Sequence, residues 1–134
     1  MIGSCLCGQV RYEISSKAAD LYQCHCSLCR KITGSSCSTS IVVPGENFSW
    51  LSGENLSKLY IHSEGKRRRV VFCPNCSSSL PDTNPDKSLY WIPVGSLQEH
   101  KTMEVKAHIF VGSKAHWDVI DDKGLRYDEH FTQG

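Results

Sequence analysis

Residues 24–34, Cys24-His25-Cys26-Ser27-Leu28-Cys29-Arg30-Lys31-Ile32-Thr33-Gly34, bring three thiols together as an extended C-x-C turns into a helical pattern. The spacing predicts one short helical turn over Ser27–Thr33, ended by Gly34 at the position where a left-handed C-cap is common. Three sulfurs this close converge on one ion and leave its fourth position open. Zinc sites with three protein ligands are the type that bind and polarise water or substrate. Soft thiolates favour zinc over magnesium or calcium, and an incoming thiol would be a good fourth ligand that ionises more easily once bound. His25 lies between two ligands of an extended stretch, so its side chain is expected on the opposite side, as a surface or hydrogen-bonding residue.

Two further cysteine pairs flank this stretch at a distance. In Cys5-Leu6-Cys7 the period of two of an extended chain places both sulfurs on one side. In Cys73-Pro74-Asn75-Cys76 a C-x-x-C turn follows the strand-like Val70-Val71-Phe72 and presents two sulfurs to a metal. Together Cys5, Cys7, Cys73 and Cys76 make a closed set of four, expected to hold a structural zinc that joins distant parts of the chain. Two alternatives stay open: a single zinc with the remaining cysteines free, and a disulfide framework. The eighth cysteine, Cys37, is expected to serve as a small buried apolar residue.

Around the cysteines the pattern is mostly β. Val10, Tyr12 and Ile14 alternate with Arg11 and Glu13, Ile41-Val42-Val43 stops at Pro44-Gly45, and Phe48 and Trp50 alternate with polar neighbours. Further strands are predicted at Leu56 to His62, Arg69 to Phe72, Leu89 to Val94 and Val105 to Val111, with a polar loop over Ser77 to Lys87. The expected architecture is therefore mostly antiparallel β with one short helical turn, in a single domain spanning 1–134.

Composition narrows the function classes. The chain has 134 residues, with 15 Lys plus Arg against 14 Asp plus Glu, and the net charge of +1 argues against a generally basic nucleic-acid binder. Its first residues lack the basic start and apolar stretch of a secretion signal, and no segment reaches about 18 consecutive apolar residues. These features predict a soluble, cytoplasmic protein without a membrane partner. In that compartment eight cysteines point to metal before disulfides.

Several motifs run the length of the chain together: Gly3-Ser4-Cys5-Leu6-Cys7-Gly8-Gln9-Val10-Arg11-Tyr12-Glu13, the Cys24–Lys31 run followed by Gly34, Phe72-Cys73-Pro74-Asn75-Cys76, and His108-Ile109-Phe110 through Trp117. In this combination the sequence resembles the glutathione-dependent formaldehyde-activating enzyme family, which also includes centromere protein V. The resemblance implies a small β-tent of antiparallel sheets with two zinc ions per chain. Cys5, Cys7, Cys73 and Cys76 match the ligands of one ion, and Cys24, Cys26 and Cys29 those of the other, catalytic ion. It implies a zinc-dependent carbon-sulfur lyase-type reaction, in which glutathione as co-substrate adds through its thiol to formaldehyde, or a related thiol and aldehyde combine. The family commonly has Gly where this chain has Ser77; a positive φ there would cost a serine on the order of 1 kcal/mol.

Other residues have weaker signals. Arg30 and Lys31 would offset the negative charge of three thiolates or attract the carboxylate of a peptide-like thiol, against the plainer reading of a solvated helix face. Lys66-Arg67-Arg68-Arg69 supports the alternative function, a non-enzymatic zinc-binding interaction module associated with nucleic acid or chromatin, although a charged hairpin turn explains the run more simply. Phe48, Trp50, Tyr90, Trp91 and Trp117 are expected in sheet core before pocket walls. Glu13, His62, His108, His116 and Asp118 are candidate general bases that no spacing distinguishes.

Overall fold

Alternating apolar and polar positions become strands wherever one face can be buried. The computed structural model describes residues 1–15, 20–63, 68–98 and 103–130. Its elements are β1 (Ile2–Ser4), β2 (Arg11–Ile14), β3 (Asp20–Cys24), α1 (Ser27–Thr33), β4 (Ser38–Pro44), β5 (Phe48–Ser52), β6 (Lys58–Ile61), β7 (Arg69–Phe72), β8 (Asp82–Thr83), β9 (Leu89–Pro93), β10 (Glu104–Ile109) and β11 (Leu125–Arg126). The protein is thus mostly strand with one short helix. No helix among the described residues is long and apolar enough to cross a membrane.

The chain divides into two compact units, Met1–Ala19 with Ile41–Thr102 and Asp20–Ser40 with Met103–Gly134. In the first, β1, β2 and β5 form an antiparallel sheet with Tyr12 opposite Gly3 and Trp50. Val10, Tyr12 and Ile14 are buried while Arg11 and Glu13 face water, as the alternation requires. Tyr12 sets the local packing: a Cβ on Gly3 would lie 2.2 Å from its ring, so only glycine fits there. Its hydroxyl donates to Ser96, whose own hydroxyl donates to the Pro93 carbonyl, and burial pushes the phenol up to about 12. Phe48 stacks on Tyr90 with ring centroids 3.9 Å apart. These two aromatics are core, as expected, whereas Trp91 and Trp117 are exposed and Trp50 is half-buried.

The hairpin β6–β7 pairs Lys58 with Phe72 and Ile61 with Arg69. The predicted strand from Leu56 starts later because Glu54–Leu56 form a 3₁₀ turn after Gly53, whose φ is 76°. Within the expected polar loop, Asp82–Thr83 pair with β9 as a two-residue strand, and Leu80 is buried beside Cys5, Val10 and Cys73.

Among the described residues most pairs are antiparallel, as expected, and the second unit adds two parallel ones. β3 runs antiparallel to β4 but parallel to β10, and β10 runs parallel to β11. A parallel pair needs a long connection. Here the chain leaves this unit after Ser40 and returns at Met103, so no local signal announces the pairing. β10 ends at Ile109 because Phe110 adopts a left-handed conformation with φ 55°.

Candidate functional site

The four-cysteine cluster is built from two tight turns of the first unit. After β1 the chain reverses at Gly8 (φ 80°), with Gly8 N–H bonded to the Cys5 carbonyl and Cys5 N–H to the Val10 carbonyl. After β7 a second turn closes with Ser77 N–H on the Cys73 carbonyl at 2.7 Å. Ser77 has φ 67°, so the position where the family commonly has glycine does demand a left-handed backbone. The sulfurs of Cys5, Cys7, Cys73 and Cys76 all lie within 4.8 Å of one another, with Cys5 to Cys7 at 3.5 Å and Cys7 to Cys73 at 3.8 Å. A tetrahedral ion with metal–sulfur bonds of about 2.3 Å sets sulfur–sulfur distances near 3.8 Å, so this donor set suits zinc.

Hydrogen bonds favour the thiolate at two of these cysteines, Cys76 and Cys7. Val10 N–H lies 3.3 Å from the Cys5 sulfur. The Ser78 hydroxyl and the backbone N–H groups of Cys7 and Ser78 hold the Cys76 thiol down to about 5. Asn75 and the Gln9 backbone lower Cys7 likewise. Cys73 also accepts from the Cys76 backbone, yet burial and the neighbouring thiols of Cys76 and Cys7 leave it raised.

The three-cysteine cluster forms where β3 runs into α1. Cys24 ends the strand, Cys26 is the N-cap residue with its sulfur 3.3 Å from Cys29 N–H, and Cys29 is buried one turn into the helix. Gly34 closes the helix with φ 65° and its N–H on the Arg30 carbonyl, as the spacing predicts. The three sulfurs again lie within 4.8 Å of one another, and no fourth His, Cys, Asp or Glu among the described residues joins them. The adjacent Cys29 sulfur and burial push the Cys24 thiol strongly up, since like charges crowd unless a cation is shared. The donor set fits a soft divalent ion such as zinc with one position left over.

Arg30 is half-buried, and its Nε is buried with no hydrogen-bond partner among the described residues; Lys31 is exposed, in keeping with a solvated face. His25 does turn away from the sulfurs, but into the interior rather than to the surface. Its Nε2 is 2.9 Å from His108 Nδ1, and its Nδ1 lies 3.3 Å from Asp118, an ion-pair distance whose angle falls short of a hydrogen bond. Burial and the His108 charge lower its pKa, against the pull of Asp118 and the Ser36 backbone. His108 Nε2 in turn donates to Asp122, 2.8 Å away. Burial opposes ionisation of Asp122, but bonds from His108 and Gly124 N–H hold its carboxyl below the usual range. Sequence spacing included His108 and Asp118 among several candidates and missed Asp122 and the His25 pairing altogether.

The remaining candidates are scattered. Glu13 and His116 are exposed, and His62 is half-buried. Cys37 is half-buried rather than buried, with its sulfur 3.8 Å from the Thr39 hydroxyl. In the basic run, Lys66 and Arg67 lie outside the described residues, and Arg69 is bound in a two-pronged pair to Asp82. Trp50 and Tyr90 line a groove of about 200 Å³ together with Arg69 and Asp82.

A solved crystal structure of a Rhodobacter sphaeroides protein is similar to this chain, with a TM-score of 0.58 and 24% identity over 73% of this chain and 88% of that one; the likeness is one of fold. The model of the family described as glutathione-dependent formaldehyde-activating enzyme matches residues 1–113, a stretch that contains every cysteine of both clusters. On that match the chain belongs to the glutathione-dependent formaldehyde-activating enzyme family.

Proposed function

We propose that the chain, with residues 1–134 working as one domain, is a zinc-dependent carbon-sulfur lyase-type enzyme that joins a small thiol to an aldehyde. The reading resembles S-(hydroxymethyl)glutathione synthesis, with glutathione and formaldehyde as the pair. The observation that carries it is the convergence of Cys24, Cys26 and Cys29 with no fourth donor among the described residues, beside a separate set of four. Cys5, Cys7, Cys73 and Cys76 hold a structural zinc on this reading, and Cys24, Cys26 and Cys29 a catalytic one.

In the forming direction the thiol sulfur bonds to the carbonyl carbon, the carbonyl π pair moves onto oxygen, and the thiol proton ends on that oxygen. No oxidant or reductant is consumed. Cys24, Cys26 and Cys29 would hold a zinc that would supply Lewis acidity for the aldehyde oxygen, a role favoured over holding the sulfur because a tightly bound thiolate is a poorer nucleophile. The three cysteines hold the ion and leave its remaining position to the reactants. Arg30 follows Cys29 directly and is half-buried, and its guanidinium would attract the carboxylate of a peptide-like thiol. On this reading the protein works in a reducing, cytoplasmic setting, where thiols stay available to a metal.

Zinc content of wild type and Cys26→Ser, with glutathione-dependent consumption of formaldehyde against an uncatalysed control, tests the reading. Two ions falling to one, with loss of turnover, support it. Two ions without turnover would replace it with another thiol–aldehyde pair or with a zinc-binding interaction module, and a wild-type count near one would overturn the division of ligands.

A further inference from the structure

Two buried imidazoles are an expensive way to fill a core. Unpaired polar groups lose water on burial, whereas apolar side chains of similar size would occupy the space at no such cost. His25 and His108 are both about 1% exposed, and three of their four ring nitrogens are hydrogen-bonded, the fourth facing a carboxylate at ion-pair distance. A carboxylate only accepts, so His108 Nε2–H donates to Asp122, and one hydrogen bridges His108 Nδ1 and His25 Nε2. Asp118 faces the far nitrogen of His25.

The carboxylates come from a loop shaped to present them. Gly124 N–H donates to Asp122 Oδ1 at 2.8 Å, and the Arg126 guanidinium donates to the carbonyls of Ile120, Asp122 and Gly124. A Cβ on Gly124 would lie 2.9 Å from Asp122 Oδ1 and 3.1 Å from the His108 ring. Asp118 and Asp122 both lie beyond residue 113, where the family match ends. The other end of the chain of bonds is the ligand-bearing turn itself. His25 is flanked by Cys24 and Cys26, its backbone N–H donates to the Ile109 carbonyl, and Cys24 is paired with Ile109 in the sheet. Both the ring and the backbone of the residue between two sulfurs are thus fixed to the end of β10, next to the left-handed Phe110.

We propose that His25, His108 and Asp122 are positioning residues for the three-cysteine site, and that the segment from Asp118 to Arg126 supports it. The proposal rests on the reading that Cys24, Cys26 and Cys29 hold an ion. Groups behind a metal ligand commonly change affinity about tenfold to a hundredfold when removed.

The test loads wild type, Asp122→Ala and Asp122→Asn with Co²⁺, and measures the affinity of each ion by chelator competition together with the cobalt–thiolate absorption of each site. In Asp122→Ala the ion at the three-cysteine site is expected to weaken by about tenfold or more with a changed absorption band, while the four-cysteine ion keeps its affinity. Asp122→Asn retains an oxygen acceptor for His108 Nε2–H, and is expected to stay within a few-fold of wild type. Equal affinities in wild type and Asp122→Ala, or equal loss at both sites, would overturn the positioning role while leaving the two-ion reading in place. A wild-type chain that binds one ion would overturn both. Should Asp122→Ala not fold, Asp118→Ala makes the same comparison from the His25 end, with selective weakening expected and no change overturning the proposal.

Discussion

The hydroxyl of Ser78 lies 3.2 Å from the sulfur of Cys76 while accepting a hydrogen bond from Leu6 N–H at 2.9 Å, so one serine ties the two turns of the four-cysteine cluster together. Its donation to sulfur is the largest cause of the depressed Cys76 thiol, about 5 against an ordinary 9.0. Between those values the unfolded chain binds the proton that the folded chain has released, so this contribution to stability is complete above pH 9 and disappears as pH falls to about 5. Ser78→Ala shortens that window. In metal-free protein, the gap in thermal midpoint between wild type and Ser78→Ala is expected to be widest near pH 9 and to close toward pH 5. A gap independent of pH would refute the assignment.

Graded chelation separates the two clusters. The four-cysteine set includes Cys5 and Cys73, both buried in one apolar cluster with Val10 and Leu80, although Cys7 is exposed, whereas in the three-cysteine set Cys29 alone is buried. Removing zinc stepwise is expected to release one ion with little change in thermal midpoint, and the second with a large drop in it. Cys73→Ser should strongly destabilise the zinc-loaded protein, and Cys26→Ser should leave its fold largely intact. Circular dichroism recorded beside released zinc checks the order, and simultaneous loss of both ions would contradict it.

Ser77→Gly is expected to stabilise the protein by a few tenths to about 1 kcal/mol. The left-handed backbone at φ 67° strains a serine, while glycine relieves the strain at the cost of a more flexible unfolded chain. Chemical denaturation of the zinc-loaded protein measures the difference, and a clear loss of stability would mean that the serine side chain matters more than its backbone.

Gly3→Ala works in the opposite direction. The added carbon would meet the Tyr12 ring at 2.2 Å, and Tyr12 is held between strands with its hydroxyl bound to Ser96. Overpacking of this kind costs about 1–3 kcal/mol, so a lower thermal midpoint is expected, with zinc binding at the three-cysteine site unchanged.

Much of this was legible locally. Helix α1 spans Ser27–Thr33 with Gly34 at its end because a sulfur at the N-cap and a glycine at the C-cap are decided within one turn of chain. β2 and β7 follow from alternation and from flanking turns in the same way, and the three cysteine groups announce themselves by spacing alone. Short range is what these signals share.

Tertiary structure decided the rest. No local pattern pairs Cys24 with Ile109 in parallel across more than eighty residues, because register between distant strands depends on which faces the intervening chain leaves to be covered. Nor could spacing show that His25 is buried against His108, or that Asp122 completes the pair. The sequence by itself determined helix α1, the strands β2, β4 to β7, β9 and β10, and the two sets of sulfurs. Which buried polar group meets which partner was settled by tertiary folding, since a hydrogen bond between residues far apart in sequence exists only once the strands that bear them are side by side.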